Sequence, residues 1–330
     1  MIVNFYEKKD TKSLKQRAIS LVEKRFPRFF EHYLVPIRTR KKDREAKEPI
    51  RAAINKILQE KTFPLFQKIE IETVNRCNNT CSFCPVNKKD DPRTFRKMDE
   101  SLFLSIIQQL KELDYRGAIA LFSNNEALLD DRIFRFVAHA KAELPHAFHY
   151  LYTNATLLDV PKFKELMTHL DKIVLDNYHD GYKFIKPVRE VFEFCKEHPE
   201  YQDRVEIHIR RKTEFLTTRG GAAKNRSMIK TIESSCVLPF SQLIVRPDGK
   251  ISLCCNDALG AETLGDLTQQ SLTEVWMGEK YQEVRSKLTQ KNGRALIGTC
   301  AGCDALSAEV NLNDLKNRKI PMPADVSKYY

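Results

Sequence analysis

The chain has no apolar run approaching the roughly 20 residues needed to span a bilayer. No apolar stretch follows the charges of its first dozen positions, so no secretory signal is read there, and a cytoplasmic protein is expected. Glycine is scarce, 11 of 330 residues, and there is neither a low-complexity tract nor an internal repeat. That excludes collagen-like, linker-rich and solenoid architectures. Acidic charge is also short, with 44 Asp and Glu against 55 Lys and Arg. The shortfall is local: residues 1–62 hold 17 basic and 8 acidic side chains, and the remainder is nearly balanced. The basic excess therefore belongs to an N-terminal extension. It bears on partners, such as a weak contact with a membrane or another anionic surface, and gives no specific nucleic-acid signal.

Cysteine, by contrast, is plentiful: nine residues, an odd number. In a reducing compartment disulfides are disfavoured, and metal or catalytic roles lead. Cys77, Cys81 and Cys84 lie together, Cys195 stands alone, and Cys236, Cys254, Cys255, Cys300 and Cys303 follow near the C-terminus. Cys195 sits beside Phe192 and Phe194 on an amphipathic pattern and reads as a small packed hydrophobe.

The periodicity divides the chain into three parts. Residues 1–65 read as a basic helical extension, broken at Pro27 and Pro36, with a basic run over 38–47 and a second helix from about residue 50. Residues 66–230 alternate short apolar strands (68–74, 118–123, 148–154, 172–178, 204–210) with amphipathic helices. Such alternation implies a parallel sheet with right-handed crossovers, hence an α/β fold of partial TIM-like barrel type. Residues 231–330 change pattern: a hairpin around Pro247-Asp248-Gly249, then one more helix, reads as a small α+β domain.

The sharpest motif is Cys77-Asn-Asn-Thr-Cys81-Ser-Phe83-Cys84, three thiols directly after the first barrel strand. Chemistry in α/β barrels sits at the C-terminal ends of strands. Iron–sulfur clusters take cysteine thiolates, usually four, so three close ligands leave one iron open. Zinc is the competing reading, but it prefers paired C-x₂-C elements with a fourth ligand nearby, and no further Cys or His follows within thirty residues.

This motif resembles the CxxxCxΦC signature of the radical S-adenosylmethionine (SAM) superfamily, with Phe83 as the aromatic. The resemblance implies a partial (β/α)6 barrel and a 4Fe–4S cluster whose open iron binds SAM. Ser123-Asn124-Asn125-Glu126 stands where that family has a Gly-Gly-Glu-Pro-like segment, which implies Asn125 and Glu126 at the SAM amino group. Tyr152-Thr153-Asn154 is similar to the TNG-like segment that reaches the SAM ribose or carboxylate, which implies Asn154 as a further ligand.

Cys236, Cys254 eighteen residues on, and the Cys300-x-x-Cys303 pair resemble the SPASM/twitch domain of the same superfamily. That implies a second 4Fe–4S cluster on Cys236, Cys254, Cys300 and Cys303, able to move electrons. Cys255 alternates to the other side of its strand, either a structural thiol or a hydrogen-atom donor. Arg219 and Glu70 are similar in placement to substrate-contacting residues of the radical SAM cyclitol dehydrogenases of aminoglycoside biosynthesis. The function so implied is oxidation of a secondary alcohol on a sugar, cyclitol or related polar metabolite, with an electron donor such as flavodoxin or ferredoxin. A Cys255-dependent epimerase and a peptide-modifying enzyme are the alternatives. Independently of any family, β-strand alternation puts Glu70 and Glu72, and Glu206, His208 and Arg210, on one side of their strands. There they line the lumen, or reach solvent if the strands are peripheral.

Overall fold

Seven parallel strands and one antiparallel hairpin extension make a single nine-stranded sheet in this computed structural model. It describes residues 2–5 (backbone), a few positions from 22 to 29, and residues 33–226, 230–306 and 330. In chain order the elements are β1 (Ile2–Phe5), α1 (Val35–Leu58), β2 (Lys68–Ile71), α2 (Glu100–Glu112), β3 (Ala118–Ala120), α3 (Ile133–Glu143), β4 (Phe148–Thr153), α4 (Val160–Met167), β5 (Lys172–Tyr178), α5 (Lys186–Glu197) and β6 (Val205–Arg210). Then come α6 (Leu238–Ser241), β7 (Gln242–Val245), β8 (Lys250–Ser252), β9 (Thr263–Asp266), α7 (Leu272–Met277), α8 (Glu279–Thr289) and α9 (Gly298–Ala301). The sheet order is β1-β6-β5-β4-β3-β2-β7-β8-β9.

Each barrel helix buries one stripe against the sheet. Phe103, Ile106, Ile107 and Leu110 do so on α2, and Val188, Val191, Phe192 and Cys195 on α5. Cys195 is fully buried in this core. The strands face helices with Ile69, Ile71, Ile207 and Ile209, all buried. Their polar alternates turn inward, and Glu70, Glu72, Glu206 and His208 are buried as well. These strands are thus covered on both faces.

Three features differ from the sequence reading. The extension is not only helical, since Ile2–Phe5 pairs in parallel with β6. A four-residue strand carries too little pattern to be read alone. The basic run is not a break either: α1 continues through it and through Pro49. Pro36 sits in the first turn of α1, where its missing N–H costs nothing. Lastly, β7 pairs in parallel with β2, Lys68 opposite Gln242 and Ile71 opposite Val245. One sheet therefore crosses the boundary expected near residue 230. β7 and β8 then form the hairpin, where Gly249 (φ 80°) supplies the positive φ of the turn. No helix among the described residues is long and apolar enough to cross a membrane.

Candidate active site

The C-terminal ends of β2 to β6 surround a cavity of about 400 Å³. On one wall is the loop after β2 with Cys77, Cys81 and Cys84, all unpaired thiols. The Ser82 N–H and hydroxyl donate to the Lys212 carbonyl at 2.9 and 3.1 Å, fastening this loop across to the segment after β6. Phe83 is buried, its ring 5.8 Å from that of Tyr178 on β5. Two donors aim at the Cys77 sulfur, the Asn79 N–H at 3.5 Å and the Asn154 amide at 3.7 Å. Burial pushes the Cys77 thiol up to about 12 and raises that of Cys81 as well. Such thiols ionise at neutral pH only when a cation takes up their charge. Among the described residues no three His, Cys, Asp or Glu side chains gather as one metal ion would require. A four-iron cube, by contrast, takes its thiolates on separate irons, and soft thiolates with amide donors aimed at sulfur suit it.

The loop after β3 holds Asn124, Asn125 and Glu126. Glu126 is buried, and its carboxylate accepts from the Leu128 N–H (3.1 Å), the Thr153 hydroxyl (2.7 Å) and the Asn154 N–H (2.7 Å). It thereby ties the loop after β3 to the loop after β4. Three protein donors fix this carboxylate on the cavity wall, and its remaining acceptor capacity is open to a ligand. Asn125 accepts from the Ser123 N–H at 3.0 Å, while its side-chain N–H₂ is buried with no protein partner. An orphaned buried donor on the wall of a cavity fits a bound acceptor. The Asn154 amide also donates to Asn78 at 2.8 Å, so it braces the cysteine loop.

Opposite the cysteine loop lies a polar floor. Glu70 is buried, 2.7 Å from the Lys68 ammonium, and accepts from the Gln242 amide (3.0 Å) and the Ser123 hydroxyl (2.5 Å). Arg219 reaches the same floor, donating to the Asn124 side chain and the Cys255 carbonyl, each at 3.2 Å. Asn124 itself donates to the Cys255 carbonyl at 3.0 Å. Arg219 thus joins the loop after β3 to the cysteine pair after β8. Lys68 escaped the sequence reading, which named Asn124 only as part of the loop segment without a role of its own. Lys68 shares the inward face with Glu70 and was legible by the same alternation.

The inward charges of β5 and β6 pair with one another. His208 bridges Asp176 (3.0 Å) and Glu206 (2.6 Å), and Lys172 lies 3.2 Å from Glu206. The register places Asp176 directly opposite His208. Burial works against the imidazolium, but the two carboxylates prevail and raise its pKa. His208, Asp176 and Arg210 all line the cavity.

Behind the floor, Cys236, Cys254, Cys300 and Cys303 are buried and unpaired. Burial raises the Cys254 thiol well above its ordinary range, and Cys255, Cys236, Cys303 and Cys300 around it raise it further. Four thiols sharing one buried neighbourhood suit a cluster ligated at every iron. Cys255 instead lines the cavity. Its thiol is pushed up to about 11, by burial first and then by Glu70.

Residues 71–209 match the model of the radical SAM superfamily, and residues 236–304 match that of SPASM, an iron–sulfur cluster-binding domain. A relative from Niallia circulans, S-adenosyl-L-methionine-dependent 2-deoxy-scyllo-inosamine dehydrogenase, is 26% identical over 247 residues, covering 74% of this chain and 95% of its own. The crystal structure of BtrN in complex with AdoMet and 2-DOIA has a TM-score of 0.62 at 24% identity, covering 76% of this chain and 98% of BtrN. SeMet BtrN in an open conformation has a TM-score of 0.55 at 22% identity, covering 74% and 94%. At these identities the structural likeness speaks for the fold. The paired matches across barrel and C-terminal region place this chain in the radical SAM superfamily, as an oxidoreductase with a SPASM domain whose cofactors are SAM and 4Fe–4S clusters.

Proposed function

We propose that this enzyme oxidises a secondary alcohol of a small polar polyol, a cyclitol or sugar, to a ketone. One 4Fe–4S cluster would be held by Cys77, Cys81 and Cys84, and a second by Cys236, Cys254, Cys300 and Cys303. The observation that carries this reading is the polar cavity between the first cysteine loop and Cys255, next to Cys254. Its size suits small ligands. The relative from Niallia circulans, a dehydrogenase of an inosamine, supports an alcohol as the reacting group. When bound, SAM and the clusters supply hydrogen-atom abstraction and one-electron transfer.

The chain's own residues orient and hold protons. The paired Lys68 and Glu70, with Ser123 and Gln242 behind them, present a fixed donor and acceptor to substrate hydroxyls. Glu70 is the group placed to take the hydroxyl proton. Arg219, held on the same floor through Asn124 and the Cys255 carbonyl, orients the ligand. Asn125 offers its orphaned N–H₂ to SAM, while Glu126 sets the two SAM-facing loops against each other. An external one-electron donor of flavodoxin or ferredoxin type completes the system.

A second reading rests on Cys255. A raised thiol on the cavity wall stays S–H at neutral pH, the form that donates a hydrogen atom. Turnover of a panel of cyclitols and aminocyclitols in deuterium oxide separates the two. Dehydrogenation yields a product two mass units lighter than substrate, and Cys255→Ala retains it. A product of unchanged oxidation state with one carbon-bound deuterium, lost in Cys255→Ala, would establish an epimerase instead.

A further inference from the structure

Arg294 lies outside the cavity and outside every role assigned so far, yet it is 1% exposed. A guanidinium at that depth normally meets a carboxylate. Here it meets only backbone. Its Nε donates to the Ser234 carbonyl (2.9 Å) and the Ser235 carbonyl (3.3 Å), and Nη2 donates to the carbonyls of Ser235 and Ala305, each at 2.8 Å. Nη1 points at the Cys303 carbonyl, 3.4 Å away. Among the described residues no acidic side chain pairs with it. The negative groups nearby are otherwise placed: Asp304 is ion-paired with Arg226, and Glu262 stands half-exposed beside Gly298.

The four carbonyls belong to the segments that carry Cys236 and Cys303. One cation therefore clamps both ends of the C-terminal cysteine set. The Ser234 side of this clamp is held again from outside, because Asp43 on α1 accepts from the Glu233 N–H (2.8 Å), the Ser234 N–H (3.0 Å) and the Ser234 hydroxyl (2.5 Å). The contacts reach the cysteine set itself: Nη1 points at the carbonyl of Cys303, and Nη2 holds that of Ser235, the residue before Cys236.

We infer that Arg294 is the buried counter-charge of the auxiliary cluster, a positioning residue that favours its reduced form. Four thiolates give such a cluster net negative charge, which grows on reduction. An uncompensated cation in a low-dielectric setting offsets that growth and raises the reduction potential. Placed there, it makes the C-terminal cluster a better electron acceptor than the same four thiolates would be without it. The inference rests on the assignment of Cys236, Cys254, Cys300 and Cys303 as ligands, but not on the identity of the substrate.

The test uses the full chain, reconstituted anaerobically, with no substrate added. Iron content and redox titration followed by electron paramagnetic resonance are measured for wild type, Arg294→Lys and Arg294→Gln. In Arg294→Gln the auxiliary cluster's reduction equilibrium should fall at least tenfold, about 59 mV for one electron. The cluster on Cys77, Cys81 and Cys84 should keep its potential, and Arg294→Lys should keep the auxiliary cluster's reduction equilibrium within threefold. Unchanged potentials in Arg294→Gln overturn the inference. If Arg294→Gln loads no auxiliary cluster, Arg294→Lys decides: a loaded cluster of near-native potential supports the charge role, and loss of the cluster assigns Arg294 to geometry alone. Absence of the second cluster from the wild type would instead refute the ligand assignment.

Discussion

Glu72 shows how one buried carboxylate can make the site sensitive to pH. One of its oxygens accepts from the Asn124 N–H at 2.6 Å, while the other has no hydrogen-bond partner and faces Arg93 at 3.7 Å. Arg93 is already held in bidentate fashion by Asp91. Burial outweighs Arg93 and raises the Glu72 pKa from 4.5 to about 7. A folded-state pKa above the unfolded one means that the native protein binds more protons between those values. Stability from this group is therefore present at low pH and is lost as pH rises through about 7. The span is worth roughly 3 kcal/mol. Glu72→Gln keeps the acceptor for Asn124 and removes the titration. Apparent melting temperature, measured at one scan rate from pH 4 to 8, should decline less steeply in Glu72→Gln than in wild type. The two profiles should converge at the acid end. Parallel profiles would mean that Glu72 does not titrate in this window.

At the scale of elements, the sequence was most legible where burial is periodic. Strands β2 to β6 and helices α2 to α5 each declare an inward and an outward face, so their places followed from alternation and amphipathicity. The cysteine loops were legible because thiol spacing is itself chemical information. Elements whose partners are remote were not. The short strand β1 exists through its pairing with β6, and nothing local marks it. The merger of β7 with β2 is likewise a pairing decision, invisible in either segment. At the site, the sequence around Glu126 gives no sign of its protein partners, Thr153 and Asn154, on another strand end. These remote pairings bear on the extension. Removing residues 1–62 strips β1 from β6 and Asp43 from Ser234. Hydrogen exchange should then quicken in residues 205–210 and in residues 230–236, with exchange in β3 and β4 unchanged. Native exchange rates in both segments would show that the extension is a separable appendage.

For the whole molecule, the question is whether the two cysteine sets act as one centre or two. They share no ligand: the first set comes from a single loop after β2, and the second from three segments after β6. They are nevertheless mechanically joined, since β2 and β7 are hydrogen-bonded neighbours and Asn124 and Arg219 both hold the Cys255 carbonyl. The joint runs through backbone groups, the Asn124 amide and the Arg219 guanidinium, none of which is a proposed cluster ligand. Loading one site therefore should not require loading the other. Anaerobic reconstitution should give about eight irons per chain, as two four-iron clusters. Substituting Cys77, Cys81 and Cys84 together with Ala should leave about four and abolish SAM cleavage. Substituting Cys300 and Cys303 with Ala should also leave about four, with SAM cleavage retained and product formation lost. The asymmetry follows from position under the proposed function: the first set borders the loops after β3 and β4 that would face SAM, whereas the second lies next to Cys255 on the cavity floor and would serve as an electron exit. If the Cys300 and Cys303 double variant lost both clusters, the Asn124–Cys255–Arg219 joint would be a folding requirement of the first site. The two centres would then form one cooperative unit.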